Sequence, residues 1–414
     1  MKDFQKVNEI AGIPVYYQEL PGVVKNSSVA LVVFTGSADD TKVGNPGLYH
    51  WFEHVPFRGT KKYPDGPSSA ISKVGGIRGA YTSRQVTEYW SKVPTKNLEV
   101  AISIVVDLVA NPLLRPDDVS AERRIIKEEI GESLGSPSHV AFWQAESVIW
   151  SGHPFGNKVL GDLESLNSMN PETLIKAREM GYDKSRMTFF ISTSAPISTV
   201  EKILLTHFAD LPSFGLSPRI KAGSFGEMKW IPGTTDVFSS RAESSRIKVL
   251  FPNPTPQDFK GLARRAILGK ILTHGSTDSP LYKELRKNRQ LVYSVGISKF
   301  LSPDGDYFGF EAETSRIKEV ESALRVMLRD PRLYSKEWIN EVKEVIRIED
   351  EMRSITSDAD IDSVIGLVTL MGQIMPEEEM LQMIDDTPFE EVVETVEQMA
   401  TFEEARTFIF EGKK

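Results

Sequence analysis

Apolar and polar positions along this chain follow two rhythms, one of strands and one of helices, and the two alternate. Val15-Tyr16-Tyr17 and the run from Val29 to Phe34 are β-branched or aromatic and bounded by turn residues, which predicts two opening strands. Asn45-Pro46-Gly47 reads as a helix start, with Asn45 as N-cap and Pro46 in the first helical position. The helix then covers Leu48 to Val55, and Pro56 should end it or distort its last turn. A short helix around Ser68 to Lys73 leads into Gly75-Gly76-Ile77-Arg78-Gly79-Ala80-Tyr81-Thr82, a glycine-rich entry to a strand. A second strand over Thr87 to Val93 makes a hairpin with it. Leu98, Ile102, Val105, Val106 and Val109 fall on one helical face. Further helices are expected over Pro116 to Leu134, 138–150 and 171–180, then a strand over Met187 to Ser192 and a helix over Ser198 to Ala209.

Residues 211–233 break the rhythm, being rich in Pro, Gly, Ser and Lys, and read as a linker. Beyond them the order of elements repeats. Strand Ile247 to Phe251, helix Phe259 to Thr273, strands Val292 to Lys299 and Tyr307 to Glu313, and helices from Ile317 onward retrace the first half in order, though not in residue identity. The expected fold is α+β and duplicated. Its domains are 1–215 and 234–414, joined by a linker over 216–233.

Composition narrows the chemistry. With 414 residues the chain is long enough for two to four domains, and 40% hydrophobic and 26% charged residues are the balance of a soluble globular protein. A net charge of −9 argues against nucleic acid as a partner, since phosphate binding needs a basic surface. The absence of cysteine excludes disulfides, thiolate metal sites and cysteine nucleophiles, so a transition-metal site must use His and carboxylates. The start of the chain has no apolar targeting core, and the longest apolar stretches are too short to span a bilayer, so a cytoplasmic protein without a membrane partner is expected.

Two of the six histidines stand four residues apart, in His50-Trp51-Phe52-Glu53-His54. Positions i and i+4 share a helical face, so both imidazoles can reach one ion, and Glu53 lies near that face as a candidate general base. Catalytic zinc sites take three protein ligands and leave a position open. The acidic segment Glu122 to Glu132 offers the third, but spacing does not choose among Glu122, Glu128 and Glu129. The plain alternatives are polar histidines on a helix and a solvated acidic face.

His-x-x-Glu-His is the inverzincin signature. The stretch from Gly47 to Thr60 resembles the signature of the M16 zinc metallopeptidases, the family of pitrilysin, insulinase and mitochondrial processing peptidase. In that family the third ligand is the last Glu of a Glu-Arg-x-x-x-x-x-Glu pattern about 75 residues after the motif. Glu122-Arg123 and Glu129 match it, since 129 − 54 = 75. The resemblance therefore implies one zinc per chain held by His50, His54 and Glu129, with Glu122 behind the ligands and Glu53 activating water. Gly75 to Ser83 is similar to the family's edge strand, so Gly79, Ala80, Tyr81 and Thr82 are implied to pair with substrate backbone. Ser279 to Ser294 resembles the family's Arg-Tyr motif, which implies that Arg286 and Tyr293 hold substrate and steady the oxyanion. The implied units are mixed, mostly antiparallel sheets with helices on one face. The implied function is hydrolysis of short unstructured peptides inside a homodimeric clamshell. The competing reading is a catalytically weak member that serves as a scaffold or as partner of another chain. The sequence departs from the family pattern at Gly79, where Asn is usual, at Gln85, at the large Tyr49 and at Pro56.

Overall fold

The computed structural model describes residues 4–42, 44–252, 257–273, 279–330, 334–353 and 357–413. Strands β1 (Gln5–Ile10), β2 (Ile13–Glu19) and β3 (Asn26–Val33) open the chain. Two strands were expected here; β1 lies at the sheet edge, where its largely polar sequence is tolerated and leaves no apolar run to read. Then come α1 (Leu48–His54), α2 (Ser68–Lys73), β4 (Ile77–Thr82), β5 (Thr87–Pro94), α3 (Leu98–Ala110), α4 (Pro116–Gly135), α5 (Pro137–Ile149), α6 (Leu163–Ser168), α7 (Pro171–Gly181), β6 (Met187–Thr193) and α8 (Ile197–Phe208). The second half holds β7 (Thr235–Ser239), β8 (Ser245–Pro252), α9 (Phe259–Thr273), α10 (Pro280–Tyr282, running on into a π-helical turn), β9 (Ser294–Phe300), β10 (Tyr307–Thr314), α11 (Ile317–Met327), α12 (Lys336–Arg353), α13 (Ser357–Met371), α14 (Glu377–Asp386), α15 (Phe389–Thr401) and β11 (Arg406–Glu411).

The duplication is visible in the sheets. The first has the order β1-β2-β6-β3-β5-β4 and the second β7-β11-β8-β10-β9. Apart from β1 the orders correspond strand for strand, and so do the directions: β2 with β6 and β7 with β11 are parallel, and the other neighbours are antiparallel. The fold is α+β with two mixed sheets.

The chain forms two compact units that are not contiguous in sequence. Residues 136–151, with α5, belong to the second, and 353–374, with α13, belong to the first. The main break falls at 225/226, inside the expected linker. Periodicity shows that a helix has an apolar face, not which body that face covers, so the boundaries read from sequence run along the chain and miss the exchange. Among the described residues no helix is long and apolar enough to cross a membrane.

In the first unit one sheet face packs on α1, α3 and α8, with α3 buried along most of its length. The other face is covered by α13, whose Ile361, Ile365 and Val368 meet Tyr16, Ala30, Val32 and Phe190. Glu88 of β5 lies among these groups beside Asp362 of α13. Burial, and then the Asp362 charge, push its pKa from the ordinary 4.5 up to about 7. The native state thus binds this proton more tightly than the unfolded chain does. The stabilising contribution is full below about pH 4.5 and is lost as pH rises through about 7. Glu88→Gln should therefore raise unfolding free energy at pH 8 by about 2–3 kcal/mol and leave it unchanged near pH 4. Urea titrations at the two pH values check this; an equal difference at both contradicts it.

Candidate metal centre

The helix that carries the histidines is started from a distance. Asn45 was expected as N-cap; instead α1 begins at Leu48 behind Gly47, which takes the left-handed conformation with φ 82°. Asn45 accepts a hydrogen bond from Ser168 Oγ at 3.0 Å. The cap is Asp40, fully buried, whose carboxylate accepts from the backbone N–H of Gly47 at 2.7 Å and of Tyr49 at 3.1 Å. It satisfies donors at the helix start that have no partner within the helix. Asp40→Ala should cost about 2 kcal/mol by stranding these N–H groups. Denaturant unfolding measures it, and a loss below about 0.5 kcal/mol, the range of ordinary surface changes, contradicts the role. Tyr49 fits despite its size because residue 181 is glycine: a Cβ there would lie 2.7 Å from the Tyr49 ring. Pro56 sits in a 3-10 turn over Val55–Arg58 that follows α1 directly.

His50 and His54 lie on one face of α1, with ring centroids 4.6 Å apart. Helix α4 brings Glu129 opposite them. Its Oε2 is 3.8 Å from His50 Nε2 and 3.7 Å from His54 Nε2, and one donor atom from each residue lies within 4.8 Å of the other two. Two turns earlier on α4, Glu122 is buried and its Oε2 is 3.1 Å from His54 Nδ1. Its other oxygen accepts from Arg58 Nε. Glu128 points outward and is exposed. Of the three acidic candidates, the structure thus brings Glu122 and Glu129 to the histidines and leaves Glu128 in solvent.

The electrostatics suit a metal. Burial, and then the neighbouring His54, push the His50 pKa down to about 3, so its imidazole is neutral and its lone pair free. Burial also disfavours the charged form of His54, but the Glu122 hydrogen bond and the Glu129 and Glu53 charges outweigh it and raise its pKa. A carboxylate on Nδ1 directs Nε2 towards Glu129, the arrangement by which a neighbouring carboxylate orients a ligating histidine. Two imidazole nitrogens and one carboxylate oxygen are a donor set for zinc, and the residues fit the ion.

Glu53 is 8% exposed, and its Oε2 accepts from Thr82 Oγ1 at 2.6 Å. Burial raises its pKa and the Thr82 hydrogen bond opposes that rise, so the carboxylate is more basic than usual yet held in place. The resemblance implies Thr82 as a backbone partner of substrate; its hydroxyl also ties β4 to Glu53. Arg58 and Asp40 were not singled out at all, since each acts through a fold contact that leaves no local signature.

Strand β4 is at the edge of its sheet, with Gly79 and Ala80 in its middle and Tyr81 60% exposed. The glycine at 79 has a structural reason. A Cβ there would lie 2.5 Å from Trp90 Cζ2, because the indole of the adjacent strand fills the space a side chain would occupy. Gly79→Asn alone should therefore destabilise the protein by about 1–3 kcal/mol through overpacking, and pairing it with Trp90→Ala should remove most of that cost. Thermal unfolding of both variants checks this; additive losses contradict it. Gln85 donates from Nε2 to Gly223 O at 3.1 Å.

Arg286 and Tyr293 belong to the second unit. Arg286 donates from Nη1 to Val292 O at 2.6 Å, bracing the backbone just before Tyr293, whose side chain is 59% exposed.

The chain is similar to known proteins along most of its length. A family model described as insulinase (peptidase family M16) matches residues 20–163, and one described as peptidase M16 inactive domain matches residues 168–332. A Rickettsia felis protein named as an uncharacterized zinc protease is 21% identical over 94% of this chain and 93% of its own length. A Mycobacterium leprae protein of like name is 28% identical over 69% of this chain, which spans 63% of that relative's length. The crystal structure of a protease from Helicobacter pylori superposes with a TM-score of 0.87 over 99% of both chains at 18% identity. Matched by both domain models along most of its length, the chain belongs to the M16 peptidase family.

Proposed function

We propose that the protein is a zinc endopeptidase acting on short, extended peptides, with His50, His54 and Glu129 as ligands for one zinc per chain and Glu53 as general base. The observation that carries this reading is the convergence of the three donor groups beside a buried carboxylate that hydrogen bonds to the edge strand. Bound zinc would supply Lewis acidity towards a peptide carbonyl and would acidify water. The chain's own residues do the rest. Glu53 takes the proton of the attacking water and returns it to the leaving amine. Thr82 keeps the Glu53 carboxylate in place, and Glu122 with Arg58 keeps His54 in one orientation. The free edge of β4, through Gly79 to Thr82, takes the substrate backbone as an added strand. Names of relatives as zinc proteases support the reaction class.

The reading extends to assembly. Two copies would enclose a chamber, and Arg286 and Tyr293 of one would complete the centre of the other by holding the substrate carbonyl. The test is cleavage of a mixture of unstructured peptides, read by mass spectrometry, by protein whose size is measured in the same buffer. Cleavage by a dimer, stopped by chelator and restored by zinc, is the expected result. A fully active monomer would remove the two-copy centre, and chelator-resistant cleavage would remove zinc.

A further inference from the structure

Beside the metal centre, still within the first unit, lies a cavity of about 520 Å³ lined by Phe57, Arg58, Asp65, Ser68, Arg78 and Arg115, with Asp118 at its wall. Two of its three guanidinium groups are satisfied. Arg58 is paired with Glu122, and Arg115 with Asp118 at 2.6 Å. Asp65 is exposed, and its charge acts on Arg115. Arg78 forms no ion pair among the described residues. It stacks over the Phe57 ring at 4.3 Å and donates from Nη2 to Ser68 Oγ at 2.5 Å, while its Nε is buried without an acceptor. A half-buried cation held by a ring and one hydroxyl keeps unmet hydrogen-bonding capacity of the kind a carboxylate fills.

The strand fixes where such a carboxylate would be. Side chains alternate along β4, so Arg78, Ala80 and Thr82 share the face that holds Glu53, and Ile77, Gly79 and Tyr81 share the other. Arg78 lies four residues from Thr82, about 13 Å at the rise of a strand. A peptide added along β4 would keep that spacing. We propose that Arg78 reads a carboxylate on the substrate, about four residues to one side of the scissile bond. This rests on the peptidase reading above and narrows its substrate class to peptides with an acidic group at that place. An aspartate or glutamate side chain, or the peptide's own C-terminus, would supply the same chemistry.

The test uses fluorescent peptides that differ in a single residue, Asp, Asn or Lys, placed in turn three, four and five residues from the cut on either side. A further pair ends at that position as free acid or as amide. Wild type should cleave the Asp peptide with about tenfold higher kcat/KM than the Asn peptide at one position only. Arg78→Met, which keeps the packing on Phe57, should level the series, and Arg78→Glu should invert it towards Lys. The same ranking should appear in binding to the Glu53→Gln protein, read by fluorescence anisotropy. A preference confined to the free-acid pair assigns the site to the C-terminus; one among internal residues assigns it to a side chain. Binding that ignores charge at every position overturns the proposal. Binding that discriminates, from wild type that cleaves nothing, keeps Arg78 as a carboxylate site and overturns the peptidase reading instead.

Discussion

Glu53→Gln should lower turnover of a cleaved peptide by about 1,000-fold while leaving the fold and the bound metal in place. The substitution keeps shape, and Thr82 Oγ1, now 2.6 Å from Glu53 Oε2, can donate equally to an amide oxygen. What is lost is the group that accepts the proton of water. Burial makes this effect large, because a carboxylate held away from solvent, with its pKa raised, is a stronger base than an exposed one. Among the described residues no other carboxylate shares its position: Glu122 is engaged by His54 and Arg58, and Glu129 faces the two histidines. Steady-state kinetics beside metal analysis of the same preparation measures both quantities. Turnover within tenfold of wild type would remove Glu53 from the reaction.

The second large effect concerns the metal itself. Glu129→Gln should lower zinc affinity by at least about 100-fold, beyond the range seen when only a neighbour of a ligand is lost. Glu129 is the only anionic member of the three-residue cluster, and without it only the two imidazoles remain as donors. Glu128→Gln provides the control, since the adjacent side chain is exposed and should change zinc content not at all. Competition with a chromogenic chelator gives the affinities. Equal affinity for wild type and Glu129→Gln, or a loss at Glu128, would move the ligand role elsewhere.

The sequence was legible where chemistry and periodicity are local. The His50 to His54 spacing lies within a single helix, so one helical turn predicts that the imidazoles meet. Most elements were legible for the same reason, as in α3, whose Leu98, Ile102, Val105, Val106 and Val109 all enter the core. The duplication was readable as an order of elements and appears in the structure as matching strand order. What escaped depends on distant contacts. Strands β7 and β11 pair with each other across more than 160 residues, and β7 is an edge strand with alternate exposed positions and no long apolar run. The exchange of α5 and α13 between the units is set by packing partners that periodicity does not name. Spacing alone left Glu122, Glu128 and Glu129 level; the family pattern separated them on paper, and the rotation of α4 against α1 separates them in space. Asp40 caps α1 from nine residues before Tyr49, and Trp90 explains Gly79 from the neighbouring strand. Both are side chains whose meaning exists only once the chain has folded.

The central claim is that His50, His54 and Glu129 hold one zinc ion. X-ray absorption at the zinc edge of the purified protein tests it most directly, with wild type and Glu129→Gln measured together. The expected result is one zinc per chain, coordinated by two imidazoles with light oxygen donors, and loss of the metal from the variant. No zinc in wild type, a shell without imidazole, or an unchanged spectrum from Glu129→Gln would contradict it.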